Sequence, residues 1–99
     1  MKPNTKPDLN TIPNDPAATI LFQQAGVFDD IPACYQTWQY DGIRGESIVF
    51  LKKDLKGRKD TDLIQKVKAS QLVRQDSQIT FSRNPPEYLF INFNIQLDG

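Results

Sequence analysis

Five cations, Lys52, Lys53, Lys56, Arg58 and Lys59, fall within eight positions. Such a cluster could neutralise neighbouring phosphates or meet an acidic protein surface. Four aromatic residues, Trp38, Tyr40, Tyr88 and Phe90, occupy even positions in segments that read as extended. Aromatic rings on a sheet face stack on nucleic-acid bases or anchor a protein interface. The two groups together raise two binding chemistries, and the charge pattern ranks them. Asp54, Asp60 and Asp62 interleave with the cations, and the chain balances twelve Lys and Arg against twelve Asp and Glu. A net charge of zero exerts no long-range pull on a polyanion. The plainest reading of the basic run is a solvated loop followed by the polar side of a helix.

Catalytic chemistry finds little to work with. The chain has no histidine, which removes Ser-His-Asp triads, Cys-His pairs and the usual proton shuttle at neutral pH. The single cysteine, Cys34, lies between Ala33 and Tyr35 and has no base to activate it. Neither a Gly-x-x-x-x-Gly-Lys-Ser/Thr loop nor a Gly-x-Gly-x-x-Gly turn occurs. A metal-dependent nuclease would need converging acids, but Ile48 stands where a carboxylate-x-Lys strand would carry lysine after Glu46. Asp41 is better read as half of an Asp-Gly turn. Adjacent Asp29 and Asp30 lack the spaced ligands of a calcium loop. The expectation is a non-enzymatic chain with no cofactor and no bound metal.

These residues must be positioned by one small domain, since 99 residues rarely divide into two cores. Three prolines among residues 1–14 predict an extended arm, with the domain proper at 15–99. Asp15 as cap, Pro16 at the first helical position and Gly26 at the end predict a helix over 16–25, with Ala17, Ala18, Ile20, Leu21, Phe22 and Ala25 on a wide apolar arc. Residues 34–40 are rich in aromatic and β-branched types and precede Asp41-Gly42, a hairpin signal. Residues 46–52 contain the unbroken apolar run Ile48-Val49-Phe50-Leu51, which places that strand centrally in a sheet.

Asp60 or Thr61 can cap a second helix, whose periodicity breaks near Ser70. The reading favoured here ends the helix there, with Leu72 and Val73 extended and a turn at 75–77. Ile79 and Phe81 begin a closing hairpin. Leu89, Ile91, Phe93, Ile95 and Leu97 then alternate with polar residues and Phe90, a period-two pattern that puts the five apolar residues on one face. Phe93→Ala is thereby expected to be costly and Asn94→Ala cheap, and Phe90 is expected to look outward from a solvated face. The fold class is α+β, in the order α-β-β-α-β-β, with a mainly antiparallel sheet and helices on one face.

The charge is segregated along the chain. Residues 1–51 carry three cations and six anions, residues 52–74 eight and three, and residues 75–99 one and three. With one cysteine, no signal-peptide pattern near the first residue and no long apolar run, a cytoplasmic, non-membrane domain is expected. The function this supports is a protein-interaction or adaptor domain. Its partner surface would draw on Trp38, Tyr40, Lys52, Lys53, Lys56, Arg58, Lys59, Tyr88 and Phe90, and self-association is one form it could take. Single-stranded nucleic-acid binding through 52–74 and the aromatics is the alternative.

Overall fold

The computed structural model describes residues 17–83 and 86–97; the arm expected at 1–14 lies outside the described residues. Five antiparallel strands form one sheet: β1 (Thr19–Phe28), β2 (Ile31–Tyr40), β3 (Ile43–Leu51), β4 (Thr80–Ser82) and β5 (Tyr88–Leu97). Their spatial order is β1-β2-β3-β5-β4, so β3 is central, as its continuous apolar run requires. One helix, α1 (Asp60–Ala69), and a short 3-10 turn at Lys52–Asp54 complete the described elements. The α+β class holds, and the element order differs at its beginning.

The difference lies near the amino-terminal end: Asp15 and Pro16 lie outside the described residues, and where the rest of the helix expected over 16–25 would run the chain forms strand β1 from Thr19 to Phe28. Asp29 and Asp30 both adopt positive φ, 52° and 65°, the conformation of a tight two-residue turn whose twist suits a hairpin. That turn folds the preceding residues back onto β2, from Phe28 opposite Ile31 to Thr19 opposite Gln39. Ile20, Phe22, Val27 and Phe28 are β-branched or aromatic and favour a pleated surface. Gly26 is no helix stop: a Cβ there would lie 2.8 Å from Tyr35 Cε2, so glycine is needed for the Tyr35 ring to cross it. The Asp41-Gly42 turn forms as expected, with φ of 49° and 78°.

Helix α1 buries Leu63 and Val67 against one sheet face. Ile31, Ala33, Ile48, Phe50, Leu89, Ile91 and Phe93 form the core there, with Leu55 from the intervening loop. Asp60 and Asp62 lie in its first turn, Lys66 and Lys68 in its last, an order that suits the helix dipole. The N-cap is Lys59, with no side-chain cap bond, rather than Asp60 or Thr61; Asp60 instead pairs with Arg83. The helix ends before Ser70, whose hydroxyl donates to the Val67 carbonyl at 2.8 Å. Leu72 and Val73 do not extend from it as expected: they lie in a turn and a bend, with Val73 folded against the core.

Strand β5 keeps its alternation only as far as Phe93. Asn94 has φ 53°, and the β3 register shifts so that Glu46 faces Phe93 while Arg44 faces Gln96. This bulge carries Ile95 across the sheet to pack with Trp38 and Ile43, so the five apolar residues do not share one face. Bulges of this kind spend one extra residue to re-aim the chain. Nor is Asn94 an idle surface residue. Its side-chain oxygen accepts from the Arg74 amide at 2.9 Å and the Ser77 hydroxyl at 2.6 Å, and its side-chain nitrogen donates to the Leu72 carbonyl at 2.7 Å.

The face opposite α1 is not solvated at its centre. Trp38 is 0% exposed and Phe90 6%, and the Trp38 ring fills the space that a side chain at Gly45 would take, 2.5 Å from a Cβ there. Trp38 Nε1 donates to Ser47 Oγ at 2.7 Å, Ser47 donates to Asn92 Oδ1 at 2.6 Å, and Asn92 Nδ2 donates to Thr80 Oγ1 at 3.2 Å. Each of these buried polar groups therefore has a partner across neighbouring strands, the condition for tolerating them inside.

Candidate functional site

Strand β1 lies at the end of the sheet, so one side of its backbone faces no described strand. Its sequence, TILFQQAGVF, contains no charged residue and no proline in ten positions. Ile20, Leu21, Phe22 and Val27 are 38%, 48%, 56% and 64% exposed. Edge strands usually carry lysine, proline or inward charges that discourage pairing with another chain, and β1 has none of these. The opposite edge, β4, is only three residues long, and the Arg83 guanidinium lies 5.3 Å from the centre of the Phe81 ring beside it.

The turn fixes which β1 groups point outward. In a two-residue hairpin the residues flanking the turn form a hydrogen-bonded pair, here Phe28 with Ile31. The next pair, Val27 with Pro32, is then of the non-bonded type, consistent with proline having no N–H. Alternation directs the amides and carbonyls of Val27, Ala25 and Gln23 away from β2. The Val27 carbonyl already accepts the Tyr35 hydroxyl at 3.1 Å, which reaches it over Gly26. Burial raises the Tyr35 phenol above its ordinary value. At the other end a bulge shifts the β2 register between Ile20 and Phe22. The regular open stretch is therefore Phe22 to Gly26.

The turn at the end of β1 is anchored electrostatically. Asp29 Oδ2 accepts from Lys66 Nζ at 2.7 Å and from the Arg58 guanidinium, tying the hairpin to α1 and the loop before it. The hydrogen bond from Lys66, then that from Arg58, holds the Asp29 carboxyl below its ordinary value of 3.8. Asp29, one of the two acids considered as a cation ligand, thus meets the chain's own cations. Reading the sequence linearly did not connect residues 29, 58 and 66.

The residues expected to form the partner surface divide between exposed and buried positions. Lys52, Lys53, Lys56 and Lys59 are exposed, but Arg58 is held by Asp29. Trp38 and Phe90 are buried, Tyr40 is half-buried beside Trp38, and Tyr88 is exposed with its ring centre 5.9 Å from that of Phe90. A groove of about 240 Å³ on this face is lined by Pro32, Cys34, Val49, Leu51, Asp54 and Tyr88. Among the described residues no group of three or more His, Cys, Asp or Glu side chains is placed to hold a metal ion, and no helix is long and apolar enough to cross a membrane. Comparison with protein-family models, curated proteins and solved structures found no match.

Proposed function

We propose that this chain is a protein-interaction domain whose β1 edge takes an extended segment of a partner as an additional strand. The observation that carries the reading is the uncharged, ten-residue edge strand with Ile20, Leu21, Phe22 and Val27 exposed. In strand addition the backbone hydrogen bonds supply affinity, and alternate side chains supply selectivity. The outward amides and carbonyls of Gln23 and Ala25 provide the first, and the exposed apolar residues provide the second. Among the described residues this edge pairs with no strand on its outer side, and the Asp29 pairs with Arg58 and Lys66 tie its turn to α1 and the loop before it. The alternative of nucleic-acid stacking draws less support, because Trp38 and Phe90 have no open ring face to offer a base.

The test is capture from nuclease-treated native-cell extract with the unmodified chain, with Ala25→Pro, and with the Lys56→Glu, Lys59→Glu double variant. Proline at 25 removes an outward N–H and leaves the bonds to β2 intact. Protein partners should survive nuclease, disappear with Ala25→Pro and persist with the charge reversals. Partners that vanish with nuclease, or that ignore Ala25→Pro while following the lysines, would refute strand addition at β1.

A further inference from the structure

We infer that the strand added to β1 is the β1 of a second copy, running antiparallel about a twofold axis at Gln24; this rests on the strand-addition reading above and names its partner. The open stretch is bounded on one side by the bulge between Ile20 and Phe22 and on the other by Val27, whose carbonyl is taken by Tyr35. Its midpoint is Gln24. A symmetric antiparallel pair must match outward-facing residues with outward-facing residues and keep paired side chains on one face. Centring on Gln24 satisfies both conditions, since Gln23 meets Ala25 of the second copy and Ala25 meets Gln23, each pair exchanging both backbone hydrogen bonds.

The side chains fit the same register. Phe22 falls opposite Gly26 of the second copy, where the absent Cβ and the Tyr35 ring crossing it leave an aromatic surface for the incoming ring. Gln24 meets Gln24, and two primary amides can donate and accept reciprocally. Charge selects the direction. Antiparallel pairing sets each Asp29-Asp30 turn beside residues 18 and 19 of the other copy, at opposite ends of the joined strands. A parallel arrangement would bring both acidic turns together, a repulsive juxtaposition. With no charge in β1 itself, nothing along the seam opposes a like-with-like pair. The product is one continuous sheet with both α1 helices on the same side.

The register gives a test that a general stickiness cannot pass. Gln24→Lys and Gln24→Glu each place like charges against each other across the axis, whereas a mixture of the two variants places opposite charges there. In analytical ultracentrifugation from low micromolar to millimolar protein, the unmodified chain should move from its 11.3 kDa monomer mass to twice that mass. Each single variant should stay monomeric at concentrations where the unmodified chain pairs, and the equimolar mixture should recover the dimer. Ala25→Pro should be monomeric with an unchanged far-ultraviolet circular dichroism spectrum. An unmodified chain that remains monomeric throughout overturns self-pairing, whatever the extract capture yields. Dimers of both single variants equal to the unmodified chain's, or a mixture that fails to recover pairing, overturn the Gln24 register. Failure of strand addition itself reads differently, as captured partners that ignore Ala25→Pro.

Discussion

Strands β1 and β5 are both ten residues long, both interrupted by a bulge and both without charge, yet they hold opposite places in the molecule. Strand β5 has β3 on one side and β4 on the other, and its Leu89, Ile91 and Phe93 are core residues beneath α1. Among the described residues strand β1 has one neighbour, and it leaves Phe22 and Val27 more than half exposed. Apolar content is therefore not what separates a strand flanked on both sides from an edge strand here. Position in the strand order separates them: the same composition is buried when flanked on both sides and stays exposed when, among the described residues, it is flanked on one.

The largest effect that can sharpen this contrast is a pair of matched truncations. Phe93→Ala should lower unfolding free energy by roughly 3 to 5 kcal/mol, whereas Phe22→Ala should change it by no more than about 0.5 kcal/mol in dilute solution, where no second copy meets the outer side of β1. Denaturant titration of the two variants checks both figures. Similar losses would mean that β1 belongs to the core.

A smaller effect is expected at the β5 bulge. Asn94→Ala should cost about 1 to 3 kcal/mol, because it strips the Arg74 amide, the Ser77 hydroxyl and the Leu72 carbonyl of their shared partner. Asn94→Gly keeps the positive-φ conformation at ease but loses the same bonds, so it should fall short of the unmodified chain in the same titration. A neutral Asn94→Gly would assign the residue's importance to backbone geometry alone.

The smallest effect concerns the anchor that holds β1 in place. Asp29 has a folded-state pKa below its ordinary 3.8, so its contribution to stability is fully present above the unfolded value. That contribution is lost as pH falls through the folded value. Stability measured between neutral pH and pH 2 should decline less steeply for Asp29→Asn than for the unmodified chain below about pH 4. Identical slopes would show that Arg58 and Lys66 do not hold the carboxylate in solution. Because these groups are exposed, the difference should shrink in high salt.

The contrast also explains what could be read in advance. The alternation from Leu89 to Phe93 was legible because one-sided burial writes a period of two into the residues, and the central place of β3 was legible from its continuous apolar run. Residues 19–28 misled because Ala18, Leu21, Phe22 and Ala25 fit a helical arc and Gly26 stands where a helix would stop. The deciding signal was Asp29-Asp30, a turn pair weaker than Asn-Gly or Asp-Gly. At Asn94 the spacing showed alternation but not the extra residue that ends it. The candidate site was hidden for a different reason. A free edge is a property of strand order, set by long-range pairing, and no residue within β1 announces it. Phe90 looked like a surface aromatic by parity, yet it is buried beside Tyr88; for Trp38 parity fixed no face, and the core packing that its residue type favours is what the fold shows, with the ring over Gly45.

Residue-resolved amide hydrogen exchange reads directly whether the outward groups of β1 pair with another strand. In dilute protein Gln23 and Ala25, whose N–H groups face away from β2, should exchange far faster than Gln24, whose N–H faces it. At millimolar concentration, where the second copy docks, Gln23 and Ala25 should slow toward the rate of Gln24, and Ala25→Pro should abolish the slowing at Gln23. Fast exchange at Gln23 and Ala25 at every concentration would contradict self-pairing at this edge, and protection of both in dilute monomer would contradict the free edge itself.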